Sequence, residues 1–288
     1  MKILIVNTYD IQGGAARAAY RLHTSLQSIG VESQMLVQIK TSDDPTVSGP
    51  QTRLKKVINY IRSELDALPV RFYKNKTSTL FSPAWLPFSD IVDKINASDA
   101  DIVHLHWIAG GMMRIEDFSR IKKPIVWSLH DMWAFTGGCH YDSGCGRYAT
   151  HCNACPVLCS TQRTDLSYIV FKKKAKNFTK IPSLTIIGLS RWITECAKNS
   201  PFFAGRDIVN LPNPLDTRMF RPIKKEIARD LLDLPTNRKL VLFGADNATH
   251  DPRKGFAEFC IAMHSVKSMD LDLLLFGAGR PLELTDLG

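Results

Sequence analysis

No apolar run in the 288 residues approaches the ~18–20 residues that cross a bilayer, so no transmembrane helix is expected. The apolar opening, residues 2–6, is too short for a secretory signal and runs directly into a polar turn. The three spaced glycines of the dinucleotide fingerprint are missing, although a glycine pair follows the first strand. Acidic side chains are in deficit: 28 Asp and Glu stand against 37 Lys and Arg, a formal net charge of +9. That balance points to an acidic partner, whether nucleic acid, an anionic membrane or a phosphorylated substrate. Few aromatics interleave the basic runs, which argues against a nucleic-acid module built on stacking. A cytoplasmic location is expected, and there seven cysteines imply thiols or a metal rather than disulfides.

What is present begins with a strand over 2–7, a polar turn over 8–14 and a helix from 15 to about 28. A second strand lies within 31–39, and strand–turn–helix–strand units of this kind predict a parallel α/β sheet. Gly13 and Gly14 fall where the carboxyl end of a strand meets a helix N-terminus. A backbone without side chains can approach a phosphate or a sugar there, and the helix dipole favours negative charge. The plainer reading is a tight βα turn.

Residues 53–76 read as a helix with Leu54, Val57, Ile58, Ile61 and Leu65 at helical spacing. Arg53, Lys55, Lys56 and Arg62 between them make either a face for a membrane surface or, preferably, a solvated face. Residues 101–107 form the next strand. Asp99 and Asp101 resemble a metal-holding carboxylate pair, but they stand at the amino end of a strand, away from the ligand edge of an open sheet. His104 and His106 alternate onto one face and read as core histidines, with His106 and Trp107 near the cleft. His130 and Asp131 follow a buried strand over 125–129, on the same rim as the glycines. An imidazole there can donate to a phosphate or a sugar hydroxyl.

A cysteine-rich loop, 137–160, comes next. Cys152 and Cys155 have the spacing of a zinc knuckle, with Cys139 and Cys145 to complete four thiolates, and a structural zinc is expected there. A helix over 166–178 ends in Lys172, Lys173, Lys174 and Lys176, read as a basic surface that meets an anionic membrane. Strands over 183–189 and 207–211 flank a helix over 191–198 capped by Ser190. Two prolines at 212 and 214 mark a hinge. After it the pattern restarts: a helix over 226–232, strands over 239–244 and 271–276, and a helix between them.

Taken in order, several stretches resemble one group of bacterial glycosyltransferases. They are 13–23, 104–107, 130–133, 137–141 with Cys152, Cys155 and Pro156, then 213–216 and 253–255. The group is the family 4 retaining enzymes of the GT-B fold, in particular the colanic-acid and capsule-polysaccharide branch. The resemblance implies two Rossmann-like domains: 1–215 on the acceptor side, and 216–288 as part of the nucleotide-sugar domain. It implies transfer of a sugar from a UDP- or GDP-sugar to a cell-surface polysaccharide or lipid-linked acceptor, with retention and without a catalytic metal. Gly13 and Gly14 would meet the donor diphosphate and sugar, His130 the transferring sugar, and Arg253 and Lys254 the leaving diphosphate. The family's donor domain carries two glutamates eight positions apart; Glu283 has no such partner here, and the 288 residues alone are not expected to turn over substrate. A zinc-knuckle nucleic-acid binder and a non-catalytic remnant are the alternative readings.

Overall fold

Alternation decides which way each strand faces. In β1 (Lys2–Tyr9) Ile3 and Ile5 point to one side of the sheet, and Leu4 and Val6 to the other. α1 (Gly14–Ser28) leads to β2 (Glu32–Ile39) and packs Ala19 against Ile3, Ile5, Met35 and Val37. The opposite face carries the larger core, in which Phe118 lies 5.1 Å from Trp127 and 5.0 Å from Phe178, ring centre to ring centre. Offset aromatic contacts at such distances add to the burial itself. The computed structural model describes residues 1–245, 251–266 and 269–277, which fall in two units, Met1–Asp216 and Thr217–Gly288.

The first unit continues with β3 (Val47–Ser48), α2 (Arg53–Asp66), α3 (Ile91–Ala97), β4 (Ile102–Leu105) and β5 (Ile125–Leu129). It closes with α4 (Leu166–Phe178), β6 (Leu184–Gly188), α5 (Arg191–Lys198) and β7 (Asp207–Asn210). All seven strands are parallel, in the order β3-β2-β1-β4-β5-β6-β7. This is a doubly wound α/β sheet whose order reverses between β1 and β4, the point at which such sheets open a crevice at their carboxyl ends. In the second unit α6 (Lys225–Leu231) precedes β8 (Lys239–Gly244), α7 (Phe256–Ser265) and β9 (Leu271–Phe276). β8 and β9 pair in parallel, and Phe243 stacks on Phe259 of α7 at 4.4 Å. Among the described residues of this unit no apolar side chain is fully buried. Glu283 lies outside the described residues.

Local chemistry fixes several boundaries. Ser190 Oγ accepts the N–H of Ile193 at 3.3 Å and starts α5, as its sequence position predicts. Asp99 and Asp101 hold the amino edge of the sheet: Asp99 pairs with Lys2 Nζ at 2.6 Å, and Asp101 accepts the Lys2 N–H at 2.7 Å. The helix expected over 53–76 ends at Asp66, and a 3-10 turn, Leu68–Phe72, follows. The expected basic surface at the end of α4 is corrected at one position. Lys174 is fully buried over the Trp133 ring, 3.7 Å from its centre, and donates to the carbonyls of Trp133 and Thr136.

Candidate functional site

Three strands deliver their last residues to one rim. β1 ends in Asn7, Thr8 and Tyr9, β4 runs into His106 and Trp107, and β5 into His130 and Asp131. Strand geometry alone does not lock such exits, and hydrogen bonds between them do. Trp107 N–H donates to Asn7 Oδ1 at 2.7 Å, Thr8 N–H to the Trp107 carbonyl at 2.8 Å, and Thr8 Oγ1 to the Ala109 carbonyl at 2.8 Å. Asp10 is buried just beyond. It accepts N–H groups of Ile11, Thr41 and Ser42 at 2.7–2.9 Å, with the Thr41 hydroxyl as a fourth donor. Burial alone would raise the Asp10 pKa; the Ser42 and Thr41 donors outweigh it and hold the carboxylate below its usual range. The turn that carries Gly13 and Gly14 is thereby pinned to the neighbouring loop. Gly13 sits at φ +86°, a conformation that favours glycine, and a side chain added at either glycine would meet open space.

Asp131 organises the far side. Trp133 N–H (2.8 Å), Trp107 Nε1 (3.0 Å) and His140 Nδ1 (2.6 Å) converge on its two oxygens. His140 Nε2 reaches Ser82 Oγ at 2.9 Å. Burial pushes the Asp131 pKa up, but His140 and these donors overcome it, and the carboxylate stays ionised. With three donors held on its two oxygens, Asp131 is an anchor for the corner rather than a base.

The histidines divide into two roles. His104 Nε2 pairs with Ser128 Oγ at 2.8 Å across β4 and β5, the core position expected of it. His106 Nδ1 and His130 Nε2 are 2.8 Å apart, while the buried His106 Nε2 has no partner. Burial pulls both His104 and His130 down to about 4 and His106 well below 6.5, so all three are neutral at pH 7. Neutral rings leave one proton for the His106–His130 bond. An orphaned buried N–H is rarer than an orphaned acceptor, so the proton belongs on His106 Nδ1, which donates to His130 Nε2. His130 then carries its own proton on Nδ1, which has no partner among the described residues. The arrangement offers a neutral hydrogen-bond donor at the sheet's crevice.

The other sequence candidates are placed differently. Arg253 and Lys254 belong to the second unit, in the 3-10 turn Pro252–Lys254, where Arg253 forks onto Asp251 at 2.6 and 2.9 Å. Cys139, Cys145, Cys152 and Cys155 line one small pocket, but among the described residues no three His, Cys, Asp or Glu side chains are arranged to hold a metal. The sulfurs have other partners. The neighbouring Cys139 thiol pulls Cys155 down to about 7, and Cys152 Sγ accepts the Gly137 N–H at 3.2 Å. Asn7, Asp10 and the pairing of His106 with His130 were missed from the sequence. Polar residues ending buried strands were the available signal.

No family model matches the chain. A colanic acid biosynthesis glycosyl transferase by name, WcaC of Escherichia coli (strain K12), is 26% identical over 168 residues. That alignment takes in 55% of this chain and 40% of WcaC. Among solved structures, Anabaena Alr3699/HepE in complex with UDP-glucose aligns over 96% of this chain and 70% of its own, at 11% identity and a TM-score of 0.43. The same protein with UDP and glucose gives 12% identity and a TM-score of 0.42. The chain thus spans less than half the length of the curated relative to which it is similar.

Proposed function

We propose that this chain is part of a retaining glycosyltransferase of the GT-B type, family 4. In this reading it moves a hexose from a UDP- or GDP-sugar to a cell-surface polysaccharide or a lipid-linked precursor. The observation that carries it is the neutral His130, held by His106 on the crevice rim that also bears the Gly13–Gly14 helix start. The sequence similarity to WcaC supports the reaction class. In the reaction the bond between the sugar's anomeric carbon and the diphosphate oxygen breaks, and a bond to the acceptor hydroxyl oxygen forms on the same face. The acceptor proton leaves with the diphosphate. His130 Nδ1–H donates to a hydroxyl of the transferring sugar and orients it. It is not the proton acceptor, since its free nitrogen already carries hydrogen. Gly13 and Gly14 let the sugar and diphosphate approach the backbone. Arg253 and Lys254 neutralise the charge that develops on the leaving group, so the reading gives that task to side chains rather than to a metal. The place of action is the cytoplasm, at the inner face of the membrane, with no nucleic acid involved.

The test assays the chain beside a version extended by a homologous C-terminal half, with UDP- and GDP-sugars and lipid-linked acceptors. In the extended version His130→Ala should lower turnover about a hundredfold, as for loss of one preorganised hydrogen-bond donor. Absence of transfer from every nucleotide-sugar, or unchanged turnover in the variant, would overturn the proposal.

A further inference from the structure

The amphipathic helix α2 is mounted inside out. Its polar face holds it to the fold. Asn59 Nδ2 donates to the Gln38 carbonyl and Gln38 Nε2 to the Asn59 carbonyl, both at 2.9 Å. Arg62 donates to the carbonyls of Gly111 and Pro87 at 2.9 Å each. The buried Asp66 accepts the Trp85 N–H, and its carbonyl accepts the Trp85 indole N–H. The apolar stripe at i, i+3, i+4, i+7 and i+11 faces the other way. Leu54 is 70% exposed, Val57 55%, Ile58 46%, Ile61 46% and Leu65 43%. Phe72, at the end of the following 3-10 turn, is 82% exposed and extends the patch. An amphipathic helix of a soluble domain normally turns such a stripe toward the core, and a contiguous exposed one marks a binding surface.

The rim of the patch is basic. Residues 53–76 hold seven Lys and Arg against Glu64 and Asp66. Arg53, Lys56, Lys74 and Lys76 are exposed and form no ion pair among the described residues. A second copy of the chain would bring the same positive rim against this one and be repelled. No described helix is long and apolar enough to cross a membrane, so contact would be with its surface. An apolar ridge between cations, with Tyr60 and Phe72 at its borders, fits the boundary between acyl chains and anionic headgroups.

We propose that α2 and the 3-10 turn after it lie on an anionic lipid surface, with the apolar stripe among the acyl chains and the basic rim at the headgroups. This assigns a surface to the peripheral membrane contact of the proposed function, and moves it from the end of α4, where Lys174 is buried and Lys173 pairs with Glu116 at 3.2 Å. Binding to lipid is read without any sugar transfer, so either idea can fail alone.

The experiment sediments the full chain with vesicles of phosphatidylcholine and phosphatidylglycerol, with pure phosphatidylcholine vesicles alongside. Binding to the mixed vesicles is expected, weakened by salt. Arg53→Gln with Lys56→Gln should lower it about 25-fold, at about fivefold for each basic residue near the surface. Ile58→Glu and Ile61→Glu should each lower it more than about tenfold. Both positions are exposed, so the melting temperature should hold, and Lys172→Gln with Lys176→Gln should change binding by less than about twofold. No sedimentation with the mixed vesicles, or full sedimentation of Ile61→Glu, would overturn the proposal. So would a stable dimer in light scattering that Ile61→Glu dissociates, because the occupant of the patch would then be a second copy.

Discussion

Replacement of Lys174 by Met should alter how the stability of the first unit depends on pH. The ammonium is fully buried, and burial brings its pKa from 10.5 down to about 7, although Cys139, Cys152 and Asp131 pull it the other way. Between those values the folded chain binds fewer protons at this site than the unfolded chain does. Stability therefore rises with pH across that window, and the gain is absent below about pH 7. Each pKa unit corresponds to ~1.36 kcal/mol, so the rise from pH 7 to 9.5 is ~3 kcal/mol. Met has no proton to lose and should not show this rise. It also strands the carbonyls of Trp133 and Thr136, at ~1–3 kcal/mol each, a cost that does not depend on pH. The gap between wild type and Lys174→Met should therefore widen by ~3 kcal/mol between pH 7 and 9.5. Urea unfolding followed by tryptophan fluorescence measures it. Trp85, Trp107, Trp127, Trp133 and Trp192, all five in the chain, lie in the first unit. A gap constant to within ~0.5 kcal/mol would refute the assignment of Lys174 as a buried amine with a depressed pKa.

Acid should weaken the first unit between pH 6.5 and 4. There the unfolded chain protonates His104 and His130 while burial keeps the folded rings neutral, at ~3 kcal/mol per ring. Burial of Asp66, whose pKa rises to about 6, works in the opposite sense: its folded form takes up a proton first, so Asp66→Asn should steepen the acid loss in the same unfolding assay. A stability flat over that range would count against neutral histidines. Gly188→Ala should lower stability by ~1–3 kcal/mol, because the new methyl would stand 2.1 Å from Thr194 Oγ1 and 2.8 Å from Thr194 Cα, where α5 closes on β6. A melting temperature equal to wild type would show that α5 can retreat without cost.

The doubly wound sheet was legible because buried parallel strands are short β-branched runs separated by helical stretches, and that pattern needs no knowledge of neighbours. β3, two residues long, and α3, seven residues long, gave too little periodicity to be read. His130 was legible from position alone, at the end of a buried strand. Its bond to His106 was not, since the register His104↔Val126 joins residues 22 apart in the chain. Periodicity found the apolar stripe of α2 but not its direction, which is set by carbonyls of 38, 87 and 111. Lys174 read as surface because it stands in a basic run; the carbonyls that bury it come from the loop after β5. Cysteine spacing likewise specifies which thiols are near in sequence, not which way each sulfur turns.

The centre of the sheet also sets an order of events in synthesis. β1 emerges first and can pair with β2 at once, since Lys2 meets Glu32. Its other edge meets β4, where Ile3 lies beside Ile102, and stays open until that strand has left the ribosome. At ~5–20 residues per second the wait is ~5–20 seconds, during which an unpaired apolar edge faces the cell. Parallel pairing at such separation also forms slowly, because the intervening loop must close before any contact rewards it. A nascent chain of this protein is therefore expected to depend on chaperones until β4 and β5 have joined, with its refolding in vitro limited by the same central closure.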